Sequence, residues 1–191
     1  RQNLIKFIVK SGNKGQAFKN ILEIGPSVSP ISRSFKDFSS ITYIDNMNKP
    51  PFTLIGKEKY HQGLYPSSKI SGKFDLILVS HVLEHSNNLN SFMLSIKSNL
   101  SKNGMAVFSI PNFKYWLANK YWNAITSEHL AYPFTDQIKF ICNQVGLTPV
   151  FSKFLNHSVY FSVSHSSTAQ TDPVTFKKLL SLQQLLINWV D

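Results

Sequence analysis

Cysteine and arginine are both scarce in this chain, and each shortage excludes a class of protein. Cys142 is the only cysteine among 191 residues, which excludes a disulfide scaffold and a zinc site built from several cysteines. Of the 20 cationic residues only Arg1 and Arg33 are arginine, although the formal net charge is +10. Surfaces that bind nucleic acid favour the forked guanidinium group of arginine. The composition therefore argues against a nucleic-acid partner.

Long apolar runs are also missing, and no stretch approaches the roughly 20 residues of a membrane span. A single cysteine fits a reducing compartment, so we expect a cytoplasmic protein. The chain opens on Arg1 instead of Met, and we interpret it as a fragment or a processed chain. With 42% hydrophobic and 16% charged residues, it has the composition of a folded domain.

Short apolar runs along the chain predict the strands of a sheet. Buried strands are expected at residues 20–25, 41–45, 74–80 and 105–110, and a further strand is expected near 60–64. The run at 74–80 is continuously apolar, which is typical of a central strand covered on both faces. Residues 147–154 and 158–164 predict a closing hairpin.

Helical patterns alternate with these strands. Apolar spacing predicts helices over 31–38 and over 89–100, the second terminated by 101–104. Thr135 is predicted to cap another helix, which ends at Gly146. Residues 4–9 are expected to end a helix that packs on the core. The core domain is expected to cover residues 1–168, followed by a C-terminal helix over 169–191.

This alternation predicts an α/β fold. We expect a mainly parallel seven-stranded sheet with helices on both faces and one antiparallel strand near the C-terminus. In such sheets the ligand binds at the carboxyl ends of the strands. Asp45 ends the second strand 20 residues after Gly25, a spacing at which an acid binds ribose hydroxyls. The residues at these strand ends that are candidates for ligand binding are Glu23, Gly25, Ser27, Asp45, Ser80 and His81.

These segments resemble the motifs of the class I S-adenosylmethionine-dependent methyltransferases. The resemblance rests on LEIGPSVS (22–29), TYID (42–45), FDLILVSHVLEH (74–85), LSKNGMAVFSIPN (100–112) and SEHLAYPFT (127–135). The H-x-LEH pattern is typical of the branch that acts on small molecules. The resemblance covers roughly residues 20–165 and implies a Rossmann-like fold. It also implies S-adenosylmethionine as cofactor and methyl transfer to a small-molecule or glycan acceptor.

The resemblance implies roles for individual residues. Glu23 would hold the cofactor loop or bind the methionine amine, with a backbone-capping role as the alternative. Gly25 and Ser27 would form the cofactor loop, where the family usually has glycine in place of this serine. Asp45 would bind the ribose. Ser80 and His81 would border the methyl-donor pocket.

The catalytic candidates lie further along the chain. The aromatic-rich segment 116–134 is expected to fold over the strand ends and form the acceptor pocket. Within it His129 is a candidate base, and His85 is a second one. A base is required for a hydroxyl acceptor but not for a nitrogen with a free lone pair. The six histidines form no recognised ligand spacing with acids, so no metal site is expected.

Three other interpretations stay open. A nicotinamide-dependent dehydrogenase shares the fold and the ribose acid, but it needs G-x-G-x-x-G where this chain has GPSVSP (25–30). A catalytically silent methyltransferase-like binding module would keep the fold without turnover. An RNA methyltransferase is favoured by the charge alone.

Overall fold

The computed structural model describes residues 2–12, 17–121 and 125–165. Its strands are β1 Asn20–Ile24, β2 Ser40–Asp45, β3 Glu58–Gln62, β4 Phe74–Ser80, β5 Leu100–Pro111, β6 Leu147–Phe154 and β7 Ser158–His165. Its helices are α1 Gln2–Gly12, α2 Leu89–Asn99, α3 Phe113–Ala118 and α4 Thr135–Val145. The predicted helix over 169–191 lies outside the described residues, so the proposed division at residue 168 stays a prediction. Within the described ranges, no helix combines the length and apolarity that crossing a membrane requires.

The seven strands form one sheet in the order β3-β2-β1-β4-β5-β7-β6. The pairs among β1 to β5 are all parallel. Strand β7 runs antiparallel to both β5 and β6. The predicted sheet, with one antiparallel strand near the C-terminus, is therefore confirmed. Strand β4 lies at its centre, as the continuously apolar sequence FDLILVS predicts.

Helices cover both faces of the sheet, as expected. On one face α1 buries Ile5 and Ile8 against a cluster that includes Tyr43 and Leu78. On the other face α2 and α4 pack over the strands, and the cluster there includes Phe92, Phe108 and Ile138. Each of these large side chains contributes about 1.5–3 kcal/mol by leaving water. The two cores hold the strand ends in fixed positions.

The helix predicted over 31–38 is wrong. Only Ser32–Ser34 form a single 3-10 turn. The backbone N–H groups of Ile31 and Ser32 both donate to the buried carboxylate of Glu23. Phe35, the residue after this turn, has an extended backbone with a ψ of 147°, and Asp37 has a φ of +63°, so the backbone does not continue into an α-helix.

Two predicted helix ends also differ from the structure. Residues 101–104 do not form a terminating turn but belong to β5, which begins at Leu100. A Cβ atom on Gly104 would lie 2.8 Å from the Phe74 carbonyl oxygen, so this glycine permits close strand approach. Thr135 is the first helical residue of α4, and Phe134 occupies the cap position. The N–H of Phe134 donates to Oε1 of Gln137 at 2.9 Å, which takes over the expected capping role. Gly146 ends α4 in the left-handed conformation, as predicted.

Candidate functional site

A cavity of about 270 Å³ lies at the carboxyl ends of β1, β2 and β4. Strand order reverses between β1 and β4, so the sheet opens a crevice between their ends. Of the six sequence-predicted binding residues, Gly25, Asp45 and His81 line this cavity. The predicted catalytic residue His85 lines it as well. The structure therefore brings together residues from three separate strand ends.

Gly25 is required at the cavity by both its backbone conformation and its surroundings. Its φ is +68°, in the left-handed region that is unfavourable for residues with a Cβ atom. A Cβ atom here would also lie 2.3 Å from Cγ2 of Val82. The Gly25 N–H donates to the Ile44 carbonyl at 2.9 Å. The turn after β1 therefore exposes backbone to a ligand without a side chain in the way.

Asp45 presents a carboxylate whose orientation is fixed. Its Oδ1 accepts a hydrogen bond from the Met47 N–H at 2.9 Å. The Tyr60 hydroxyl donates to the Met47 carbonyl at 2.6 Å and so holds the same turn. Among the described residues no donor engages Oδ2. A fixed carboxylate on a cavity wall suits two neighbouring hydroxyl groups of a ligand.

Glu23 lies in β1 and Ser27 in the loop that follows it, and neither lines the cavity. Glu23 is 2% exposed. Its Oε1 accepts from the Ile31 N–H at 2.9 Å, and its Oε2 accepts from the Ser32 N–H and hydroxyl at 2.9 and 2.5 Å. These contacts correspond to the loop-holding alternative for Glu23. Ser27 donates weakly to the Ser29 carbonyl at 3.4 Å, within the same loop.

At the far end of this loop, Arg33 forms an ion pair with Glu58 on the edge strand β3. Arg33 Nε and Nη2 donate to the two oxygens of Glu58 at 2.8 and 2.6 Å. The Tyr43 hydroxyl and the Ile55 N–H also donate to Glu58, at 3.0 and 2.9 Å. Burial alone would raise the pKa of Glu58, but these donors and the guanidinium charge hold it below the ordinary value. Burial likewise raises the pKa of Tyr43.

Ser80 and His81 end β4 but face different surroundings. The hydroxyl of Ser80 lies 2.8 Å from that of Ser109, in a buried pair between β4 and β5, and Ser80 does not line the cavity. His81 has a φ of +55°, which is uncommon for a residue other than glycine. Its N–H donates to the Ser109 carbonyl at 2.8 Å, and its Nδ1 lies 3.2 Å from Glu84 Oε1. His81 is thus held at the cavity from two sides.

The segment after residue 125 reaches back to the turn that follows β4. The Ala131 N–H donates to the Glu84 carbonyl at 3.0 Å. His85 Nδ1 lies 2.7 Å from the Glu128 carbonyl oxygen. The His85 and His129 ring centroids are 5.1 Å apart. The described part of the aromatic-rich segment therefore contacts the turn after β4, and both candidate bases lie side by side there.

A larger cavity, of about 530 Å³, lies between α3, α4 and the end of β6. Its lining includes Tyr115, Phe134 and Lys139. Ala118 and Phe134 of the predicted acceptor segment line it, but it contains none of the individually predicted binding or catalytic residues. The smaller cavity holds the strand-end residues Gly25, Asp45 and His81.

Residues after β3 also line the smaller cavity and were missed by sequence reasoning. These are Gly63, Leu64 and Tyr65. The signal was present, because the rule that ligands bind after strand ends applies to β3 as to the others. The strand was expected near 60–64, however, and ends at Gln62, so Gly63 and Leu64 were counted inside it.

The comparisons with known proteins agree with this architecture. The sequence pattern of a methyltransferase domain family matches residues 1–151. No curated protein matches the chain significantly in sequence. The chain is similar in fold to the N-methyltransferase NodS from Bradyrhizobium japonicum WM9, at 17% identity and a TM-score of 0.63, over 86% of this chain and 93% of that one.

Two further solved structures show the same fold. One is the 1,6-didemethyltoxoflavin-N1-methyltransferase from Burkholderia thailandensis, with 14% identity, a TM-score of 0.63 and coverage of 85% of this chain and 76% of that one. The other is an S-adenosylmethionine-dependent methyltransferase from Clostridium acetobutylicum, with 11% identity, a TM-score of 0.66 and coverage of 87% and 91%. The toxoflavin enzyme and NodS were each crystallised with S-adenosylhomocysteine.

The fold is that of the class I methyltransferases. The family match covers most of the chain, and the chain belongs to this methyltransferase domain family. The enzyme class and the cofactor, S-adenosylmethionine, are those that the motifs predicted. The cavity fits such a cofactor, because it combines an uncovered backbone turn at Gly25 with the fixed carboxylate of Asp45.

Proposed function

We propose that this methyltransferase binds its donor in the cavity lined by Gly25, Asp45 and His81 and methylates a small-molecule or glycan acceptor. One observation carries the donor site: residues from three strand ends meet around a single cavity at the switch point of the sheet. The donor brings an activated methyl group on a sulfonium. The protein's task is then mainly alignment, which is worth about 7–11 kcal/mol in favourable cases.

Each strand end has a separate part in this proposal. Asp45 accepts the ribose hydroxyls, because one of its oxygens is already fixed by the Met47 N–H. Gly25 lets the backbone approach the donor. Leu64, which is 72% exposed and lines the cavity, supplies an apolar wall for the adenine of the donor. Glu23 acts indirectly, since its carboxylate holds the loop and not the ligand.

The acceptor side is proposed at His85 and His129. His85 lines the donor cavity, and its ring stands 5.1 Å from that of His129. Phe113 and Tyr132 pack edge-on against His129, with ring centroids 5.8 and 5.9 Å away. Aromatic walls with polar edges suit sugar rings and heterocycles. For a hydroxyl acceptor, a neutral imidazole at this place takes the proton.

The names of two structural neighbours support a small acceptor. NodS is an N-methyltransferase, and the Burkholderia thailandensis enzyme was crystallised with 1,6-didemethyltoxoflavin. For the present chain a nitrogen acceptor would need no base, whereas a hydroxyl acceptor would use the histidine pair. The acceptor class therefore decides whether these imidazoles matter for turnover.

The proposal is tested by binding and transfer measured on one preparation. Calorimetry should show that S-adenosylhomocysteine binds and that NAD does not. Methyl transfer from labelled S-adenosylmethionine should then be followed against sets of glycans, small heterocycles and RNA. Binding without transfer to any set would favour the silent binding module. Transfer to RNA alone, with a steep dependence on salt, would favour the RNA methyltransferase.

A further inference from the structure

Three side chains with metal-ligating groups meet beside the donor cavity, where the turn after β4 contacts the segment from 125 to 134. Glu84, His85 and His129 each offer a ligand atom, and these atoms lie within 4.8 Å of one another. Sequence spacing did not show this group, because His129 lies 45 residues beyond Glu84. The hydrogen bond from the Ala131 N–H to the Glu84 carbonyl brings these two parts of the chain together.

Two atoms of this group are buried without a hydrogen-bond partner among the described residues. They are Glu84 Oε2 and His129 Nδ1. Glu84 is only 1% exposed, and an unpaired carboxylate oxygen in such a place is costly. A single ligand that accepts lone pairs from both atoms would remove this cost. A metal cation has that property. A water molecule that donates both of its protons is the competing occupant, and the titration below distinguishes the two.

The neighbours of the group orient it as the outer partners of metal ligands do. His85 Nδ1 lies 2.7 Å from the Glu128 carbonyl oxygen, so this nitrogen carries the proton and Nε2 keeps its lone pair. Glu84 Oε1 lies 3.2 Å from His81 Nδ1, which leaves Oε2 for a further partner. Hydrogen bonds of this kind fix the tautomer and the direction of ligands in metal sites.

We propose that Glu84, His85 and His129 bind a divalent transition-metal cation of the zinc type. Two imidazoles and one carboxylate are a donor set that zinc accepts, with a fourth position left open. Bonds of about 2.0–2.2 Å would bring the ligand atoms to about 3.3 Å from one another. His85 is exposed, so its ring has room to turn towards the other two ligands.

The open position would lie next to the donor cavity, since His85 belongs to both. Cation binding itself needs neither donor nor acceptor, and only this last step rests on the proposed function. A hydroxyl acceptor bound at the open position would have its pKa lowered by the cation. The two imidazoles would then serve as ligands instead of free bases.

The test is a titration of the full chain, freed of any affinity tag and of bound metal, with Zn²⁺ in a calorimeter. We expect one Zn²⁺ per chain, and at least about tenfold weaker binding in His85→Ala and in Glu84→Gln. His61→Ala is the matched control, because His61 lies on the edge strand β3, and it should bind like the wild type. Co²⁺ titrated in parallel should give visible absorption that is lost in the same variants.

Failure of the wild type to bind Zn²⁺, or unchanged binding in both variants, would overturn the proposal. Circular dichroism checks that each variant is folded. If the buried Glu84 variant does not fold, the variant at the exposed His85 decides alone. Binding of S-adenosylhomocysteine is measured on the same metal-free samples, so a missing metal site and a missing donor site are told apart.

Discussion

Gly25 and Val82 stand so close that a Cβ atom on the glycine would lie 2.3 Å from Val82 Cγ2. The turn after β1 and the turn after β4 therefore touch at the donor cavity. We expect Gly25→Ala to bind S-adenosylhomocysteine at least about tenfold more weakly. The positive φ alone costs about 1–2 kcal/mol, and the clash adds displacement of one cavity wall.

Two further variants separate strain from clash in that experiment. Gly56→Ala has a similar φ of +56° but no atom within 4 Å of the added Cβ. It should lose stability without losing ligand affinity. Gly25→Ala combined with Val82→Ala removes the clash and should recover part of the affinity. Calorimetric titrations that give the single and the double variant equal affinity would contradict this account.

Asp45→Asn is the sharpest change at the ribose position. The asparagine oxygen still accepts the Met47 N–H, so the turn is kept and only the charge is lost. Hydrogen bonds to a charged group are worth about 1.5–3 kcal/mol. We therefore expect the affinity for S-adenosylhomocysteine to fall by about 10- to 150-fold. Asp37→Asn, at an exposed loop position, is the control, and equal affinities in both variants would remove Asp45 from the site.

His129→Ala tests the acceptor side. With a hydroxyl acceptor we expect turnover to fall at least about 10²-fold while cofactor affinity changes little. The reason is that His129 does not line the donor cavity but stands next to His85, which does. Steady-state kinetics paired with calorimetry provide both values. A large loss of cofactor affinity with unchanged turnover at saturation would refute the assignment, and a nitrogen acceptor should show only a small loss.

Low pH should weaken the ion pair that joins Arg33, in the segment after β1, to Glu58 on the edge strand β3. In the folded protein the pKa of Glu58 lies below its ordinary value of 4.5. Its ionised form therefore stabilises the fold above about pH 4.5, and this contribution is lost as the pH falls through the folded value. Glu58→Gln removes the ion pair with Arg33 at every pH. The difference in urea midpoint between wild type and Glu58→Gln should be largest near neutrality and shrink towards about pH 3; a constant difference would contradict the prediction.

The parts of the fold that sequence predicted best are those where one pattern dominates. Strand β4 is buried along almost its whole length and reads as continuously apolar. Strand β3 was placed only approximately, because its EKYHQ sequence lies at the sheet edge with an alternating, partly exposed pattern. The helix predicted over 31–38 stops after one turn, because Phe35 is extended and Asp37 has a positive φ. Arg33 within it is held by Glu58 on β3, a contact that local spacing does not contain.

The site divides in a similar way. Gly25, Asp45 and His81 could be predicted because topology places every strand end at one edge of the sheet. Ser80 shares that edge, but strand alternation turns its hydroxyl towards Ser109. The meeting of Glu84 with His129 could not be predicted, since it depends on the path of a long connection after β5. Sequence patterns give the edge on which a residue lies more readily than the partners it meets there.

The carboxylate of Glu23 has a consequence for how the loop behaves before any ligand arrives. The amides of Ile31 and Ser32 both donate to it, and both residues are fully buried. Amide hydrogen exchange at these two positions should therefore be slow in the ligand-free protein and change little when S-adenosylhomocysteine is added. Ligand binding then orders little backbone at these two residues, so its entropic cost there is small. This end of the loop after β1 is accordingly formed before the donor binds.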